Sequence, residues 1–163
     1  MLIILFGPIG VGKSYIGKLL SSHYDFYYED GDNWLTPEML SVIEKRMHFT
    51  QEMIDNFVDV MITNIAALFE SGHKNIVISQ ALYRQKNREK ILRAFPTVKF
   101  IQVDARPDTV SRRLISRGNA VDEEFANLNK GYFEPMAGCP VIHNDEDGDE
   151  HILSDPVVTV LRQ

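Results

Sequence analysis

Hydrophobic residues follow two alternating rhythms along this chain. Leu2 to Phe6 and Ile76-Val77-Ile78 are short unbroken apolar runs, with the length and density of strands buried on both faces. Val98 to Val103 predicts a further strand, and Pro140-Val141-Ile142 a short last one. Phe26-Tyr27-Tyr28 is a second strand in chain order, ending at Glu29-Asp30-Gly31-Asp32. Between these runs the apolar spacing lengthens to three and four. Tyr15, Ile16, Leu19 and Leu20 predict a helix after the first strand. A second, short helix begins near Pro37. The clearest helix covers 50–71, where Ile54, Phe57, Val58, Met61, Ile62, Ile65, Leu68 and Phe69 share one face. Thr50 suits its N-cap and Gly72 its end.

Polar helices follow. One runs from Arg84 to Ala94 and stops before Pro96; another opens at Pro107 and turns Val110, Leu114 and Ile115 inward. A polar segment over 119–135 reads as a mobile helical lid ending at Glu134-Pro135, and a last helix starts near Asp155 with Pro156 in its first turn. An acidic turn over 144–150 precedes that helix. Strand alternating with helix on this scale predicts an α/β fold, a parallel sheet with helices on both faces. In such sheets ligands sit at the carboxyl ends of the strands. That rule gathers Gly7, Asp30 to Asp32, Ser79-Gln80 and Asp104 along one edge.

Length narrows this to one domain: 163 residues suffice for one core and are too few for two. With 17 Lys+Arg against 23 Asp+Glu the net charge is −6, which argues against broad binding to nucleic acid or to a membrane surface. Cys139 is the only cysteine, so no internal disulfide forms and a reducing, cytoplasmic setting is expected. The apolar run at the start has five residues and no basic residues ahead of it, unlike a secretory signal or a spanning helix. The five histidines show no metal-ligand spacing.

The strongest chemical signal lies between the first strand and the first helix. Gly7, Gly12, Lys13 and Ser14 fill the P-loop spacing G-x-x-x-x-G-K-S. Glycines let successive backbone N–H groups turn toward phosphate oxygens, and the following helix aims its positive end at the same anion. Lys13 reaches the β- and γ-phosphates, and the Ser14 hydroxyl ligates Mg²⁺. Gly7, Pro8, Ile9, Gly10, Val11, Gly12, Lys13 and Ser14, with the adjoining Tyr15, therefore form the nucleotide-binding segment, with ATP and Mg²⁺ as its expected ligands.

Three other groups bear on the reaction. Asp30 and Asp32 are alternate residues, which in an extended chain face the same way. Beside a γ-phosphate, one would hold a magnesium-bound water and the other accept the proton of an attacking hydroxyl; a solvated acidic turn is the plainer alternative. Arg112, Arg113 and Arg117 precede the lid, and from there arginines can stabilise a transferring phosphoryl group, or else pair with acids such as Asp108. Arg84, Lys86 and Arg88 follow the third strand, either as ligands of an anionic or polyhydroxylated acceptor or as an ordinary basic helix face. Trp34 covers the acceptor pocket or belongs to the core.

These residues resemble the small P-loop kinases of metabolites, the shikimate kinase and gluconate kinase group within the nucleoside-monophosphate-kinase-like fold. The similarity runs over nearly the whole length. It rests on Gly7 to Ser14, Asp30-Gly31-Asp32, Ser79 with Ala81-Leu82, Arg113-Leu114 through Arg117, and Glu134-Pro135, and it is closer to gluconate kinase. The resemblance implies a five-stranded sheet in the order 2-3-1-4-5, a closing lid over about 117–135, and ATP-dependent phosphorylation of a small-molecule hydroxyl, a gluconate-like sugar acid first. It assigns Lys13 and Ser14 to phosphate and Mg²⁺, and Asp30 to the metal's water shell. Asp32 becomes acceptor ligand and candidate base, Arg113 a nucleotide contact and Arg117 a phosphate contact.

The departures fall on the acceptor side. Asn33-Trp34-Leu35-Thr36-Pro37 is one residue longer than the gluconate kinase pattern and lacks its histidine; Gln80 splits the Ser-Ala-Leu; Gly118-Asn119-Ala120-Val121-Asp122 replaces the family's His-Phe-Phe lid. The glycine triplet of shikimate kinases is also missing. A nucleoside or nucleotide kinase of the same fold and a non-catalytic nucleotide-binding protein are the competing readings. A regulatory GTPase is disfavoured because Asn129-Lys130 continues with Gly131-Tyr132 rather than a guanine-reading acid. A homodimer is compatible with the sequence.

Overall fold

The computed structural model describes residues 1–117, 123–145, 148–159 and 161. Five strands, β1 (Leu2–Phe6), β2 (Tyr27–Asp30), β3 (Ile76–Ser79), β4 (Lys99–Asp104) and β5 (Val141–His143), form one parallel sheet in the order β2-β3-β1-β4-β5. Both the expected order and the expected parallel pairing are found. β1 lies in the middle, and all five of its residues are buried. Successive side chains of a strand point to opposite faces. Leu2, Ile4 and Phe6 accordingly join one core cluster with α3 (Gln51–Glu70), while Ile3 and Leu5 join a second with α1 (Lys13–His23).

The helices match their sequence signals, except that Ile115, expected to face inward on the helix from Pro107, is 72% exposed. Thr50 Oγ accepts from the Met53 N–H at 3.2 Å and caps α3. α2 (Pro37–Glu44) is capped by Thr36 in the same way, its Oγ accepting from the Met39 N–H at 3.2 Å. α4 (Gln85–Ala94), α5 (Pro107–Arg117) and α6 (Glu123–Lys130) follow. The expected C-terminal helix is two short ones, α7 (Glu150–Ser154) and α8 (Pro156–Thr159). Asp155 at the C-cap of α7 has extended dihedrals, and its carboxylate accepts from the Val157 N–H at 2.8 Å, so it ends one helix and starts the next. Residues 118–122 of the expected lid and 146–147 of the acidic turn lie outside the described residues. Among the described residues no helix is long and apolar enough to cross a membrane.

One departure matters for the site. Only Asp30 ends β2; Gly31–Trp34 forms a 3₁₀ turn, with the Asp30 carboxylate accepting from the Asp32 N–H at 3.1 Å. The two aspartates are therefore not alternate residues of an extended strand. An Asx-type cap bends the chain between them.

Candidate active site

A cavity of about 430 Å³ opens at the carboxyl ends of β1, β2 and β3. Lys13, Ser14, Asp30, Asp32 and Arg117 all line it. Gly12 supplies the turn into α1 with φ of +94°, a left-handed conformation suited to glycine. A Cβ there would also lie 2.2 Å from Nδ2 of Asn144. The Lys13 ammonium donates to the carbonyls of Gly7 at 2.9 Å and Pro8 at 2.8 Å, so it lies along the loop that precedes it. Burial lowers Lys13 to about 8, against the pull of the Asp32 and Asp30 carboxylates, and Arg117 adds to the lowering.

Ser14 and Asp30 meet directly, Oγ donating to Oδ2 at 3.0 Å. The same Oδ2 accepts from the Tyr28 hydroxyl at 3.2 Å, and that hydroxyl also hydrogen-bonds Ser79 Oγ at 2.9 Å. Asp30 and Ser79 are register partners across β2 and β3, so strand pairing fixes the carboxylate before any side chain acts. Asp32 is held from β3 instead: Gln80 Nε2 donates to its Oδ1 at 3.1 Å, while Gln80 Oε1 accepts from the Ala81 N–H at 2.6 Å. Burial first and the Asp30 carboxylate second push the Asp32 carboxyl above the ordinary range; Gln80, Lys13 and Arg117 partly offset this. A carboxylate with a raised pKa, beside a cation and facing a cavity, suits general-base work.

The loop is gripped from behind. Arg113 Nη1 and Asn144 Nδ2 both donate to the Val11 carbonyl, at 3.2 Å and 2.9 Å. Tyr83, its hydroxyl pushed up to about 12 by burial, accepts from the Ile9 N–H at 3.3 Å. The backbone that would meet a phosphate is thus fixed by three side chains outside the G-x-x-x-x-G-K-S motif.

A family model described as an AAA domain matches residues 3–132. The chain belongs to this family. Solved structures agree on the fold. A sugar kinase from a Janibacter species superposes with a TM-score of 0.83 at 17% identity, covering 98% of this chain and 93% of that one. A gluconokinase from Sinorhizobium meliloti gives 0.73 at 16%, covering 98% and 86%. A shikimate kinase from Bacteroides thetaiotaomicron gives 0.57 at 21%, covering 99% and 96%. The fold is that of the P-loop small-metabolite kinases, as the sequence motifs imply. Among curated proteins no relative matches.

Within this AAA-domain chain the expected site residues divide into groups. Ile9, Gly10 and Gly12 face the cavity beside Lys13 and Ser14. Tyr15 is exposed, with its hydroxyl hydrogen-bonded to Asp149. Arg113 reaches the loop's own carbonyl, whereas Arg117, one turn further along α5, reaches the cavity. Arg84 also lines the cavity and is ion-paired with Glu134 at 3.0 Å.

Arg88 requires a correction. It is 1% exposed and does not line the cavity, so it is not an acceptor ligand. Its Nη1 donates to the carbonyls of Leu82 at 2.6 Å and Tyr83 at 3.3 Å, its Nη2 to that of Glu134 at 2.5 Å, and the guanidinium stacks over Phe6 at 4.7 Å. A buried guanidinium turned onto carbonyls is structural, and here it fixes Leu82 in the left-handed region at φ 43°. Trp34, expected either to cover the acceptor pocket or to belong to the core, packs against the core and does not line the cavity.

Tyr28, Gln80, Tyr83 and Asn144 were missed as site-shaping residues. Gln80 had a visible signal, since it interrupts the expected Ser-Ala-Leu. Asn144 had none.

Proposed function

We propose that this protein is an ATP-dependent kinase that moves the γ-phosphate to a hydroxyl of a small molecule. What carries the reading is the convergence of Lys13, Ser14, Asp30 and Asp32 on one cavity that is also lined by residues away from the phosphate loop, among them Met39, Phe57, Arg84 and Asn129. ATP would seat its phosphates on the loop amides and Lys13, with its γ-phosphate directed toward Asp32. Asp32 would take the acceptor's proton while Arg117 offsets charge on the transferring oxygens.

Mg²⁺ fits the residues present. Ser14 Oγ and Asp30 Oδ2 form an oxygen-only donor pair, and among the described residues no cluster of three or more His, Cys, Asp or Glu could hold a metal by itself. Mg²⁺ is usually held in this way, by one or two protein oxygens together with phosphate and water. When bound, it neutralises charge on the β- and γ-oxygens. A cytoplasmic setting is proposed from the lone Cys139 and its free thiol.

A gluconate-like sugar acid is the acceptor that the motifs suggest, and the similarity to solved structures titled sugar kinase and gluconokinase supports trying it first. The test is ADP release from Mg·ATP with and without candidate acceptors. Acceleration by any hydroxylated compound supports a kinase. Tight ATP binding with no acceleration across a broad panel would make the protein a nucleotide-binding module. Asp32→Asn should impair transfer far more than ATP binding; equal loss of both would remove Asp32 from the role of base.

A further inference from the structure

The segment that leaves β3 is stitched to the start of the phosphate loop. The Gly7 N–H donates to the Ala81 carbonyl at 3.3 Å, and the Ile9 N–H donates to the Tyr83 hydroxyl oxygen, also at 3.3 Å. Leu82, between them, lies in the left-handed region, a conformation that a non-glycine residue keeps only where its surroundings hold it.

Tyr83 is fixed along its whole length. Its carbonyl accepts from the Glu134 N–H at 2.8 Å and from Arg88 Nη1 at 3.3 Å. Its ring packs edge-on against Phe133, with the centroids 6.0 Å apart. Tyr83 lines the cavity together with Ile9, Lys13 and Asp32, and its hydroxyl lies within electrostatic reach of the Asp32 carboxylate.

A tyrosine hydroxyl both accepts and donates. Here, among the described residues, the oxygen accepts from Ile9 and the proton has no acceptor. Burial pushes the hydroxyl up to about 12, so it stays a neutral donor at any pH near neutrality. An amide that donates to a hydroxyl also polarises it and strengthens the hydrogen bond it gives.

We infer that Tyr83 is a catalytic residue whose hydroxyl, braced by the Ile9 amide, donates to an oxygen of the phosphoryl group during its transfer from ATP. This deepens the kinase reading and rests on it. The bond from the γ-phosphorus to the β,γ-bridging oxygen breaks as the bond to the acceptor oxygen forms. ADP leaves with the electron pair, and the acceptor's proton passes to Asp32. Charge spreads meanwhile over the three oxygens that stay on phosphorus. One of these takes the hydrogen bond from Tyr83, whose proton remains on Tyr83. A donor already fixed in place costs no reorganisation at that moment.

The experiment uses the full chain with Mg·ADP and aluminium fluoride, which supplies a planar anion in place of the transferring group. Tyr83→Phe keeps the ring against Phe133 and removes only the hydroxyl; thermal unfolding checks that the variant folds. Calorimetry gives the affinity for Mg·ADP and the gain on adding aluminium fluoride. The variant should bind Mg·ADP within about twofold of the wild type, while its gain with fluoride falls by about 10- to 100-fold. In fluorine NMR of the bound complex, one resonance should lose its hydrogen–deuterium solvent isotope shift in the variant. An undiminished gain with fluoride, or isotope shifts that match in the two proteins, would overturn the role. So would equal weakening of both complexes, which would leave Tyr83 a brace for Ile9 alone. Failure of the wild type to bind Mg·ADP would instead remove the kinase reading on which the proposal rests.

Discussion

Gln80 holds Asp32: the amide of one donates to the carboxylate of the other at 3.1 Å, from β3's end to the 3₁₀ turn after β2. Gln80 is 8% exposed and favours the ionised form of Asp32, which burial and Asp30 oppose. Gln80→Leu keeps the bulk and removes that hydrogen bond. The folded-state pKa of Asp32 then rises further, and a base works only when deprotonated. The rising limb of the pH–rate profile should move to higher pH by about one unit, with activity falling up to roughly tenfold below that limb. An unmoved limb with lower activity would reduce Gln80 to a packing residue.

Lys13 gives a second pH effect of opposite sign. Its pKa in the protein is about 8, below the ordinary lysine value because it is buried. Only the ammonium attracts a polyphosphate, and a bound polyphosphate raises its pKa. Mg·ATP affinity should therefore be flat below pH 8 and weaken by roughly tenfold per unit above it, until the bound-state pKa is reached. Calorimetry in buffers of different ionisation enthalpy would show proton uptake on binding above pH 8. Lys13→Ala should abolish that uptake and cut turnover by about two to three orders of magnitude.

Gly17 sits on the buried face of α1 because the Tyr28 ring occupies the space of its missing side chain. An added Cβ would lie 2.3 Å from Tyr28 Cε2. Gly17→Ala should destabilise the fold by about 1–3 kcal/mol despite alanine's better helix propensity. It should also weaken Mg·ATP binding, since a displaced ring leaves Asp30 and Ser79 without their shared hydroxyl. Thermal unfolding alongside calorimetry would separate the two effects.

Arg88 distinguishes a structural arginine from a substrate ligand. Arg88→Met strands the carbonyls of Leu82 and Glu134 and releases the strained backbone at Leu82. The expected cost is about 3 kcal/mol, a drop in Tm of roughly 10 °C. A variant of unchanged Tm whose KM alone rises would return Arg88 to the acceptor site.

The strand–helix alternation was legible because it is local: five runs and their intervening periods are written in neighbouring residues, as is the cap at Thr50. The phosphate-loop geometry was legible for the same reason, since Gly12, Lys13 and Ser14 act through their own backbone and the adjacent helix. Asp30 and Asp32 were singled out and both line the cavity, but the argument from extended geometry that joined them is replaced by the 3₁₀ turn. Arg88 was misread because a basic residue on a polar helix looks solvated until tertiary packing turns it inward beside Ile91. Tyr83 and Asn144 act across 74 and 133 residues of sequence, and no spacing rule spans such distances. The apolar wall of the cavity was hidden too, because Ile54, Phe57 and Val58 read only as the core face of the helix over 50–71.

Asn144 lies downstream of the stretch matched by the family model, yet it shares the Val11 carbonyl with Arg113. The nucleotide cradle is therefore not a self-contained amino-terminal module. A fragment ending at residue 132 would keep every residue of the G-x-x-x-x-G-K-S loop and lose one of the two side chains on the Val11 carbonyl, together with Glu134-Pro135 and β5 at the sheet's margin. Its glycines would still be in sequence order, but no longer held in the shape that grips a phosphate.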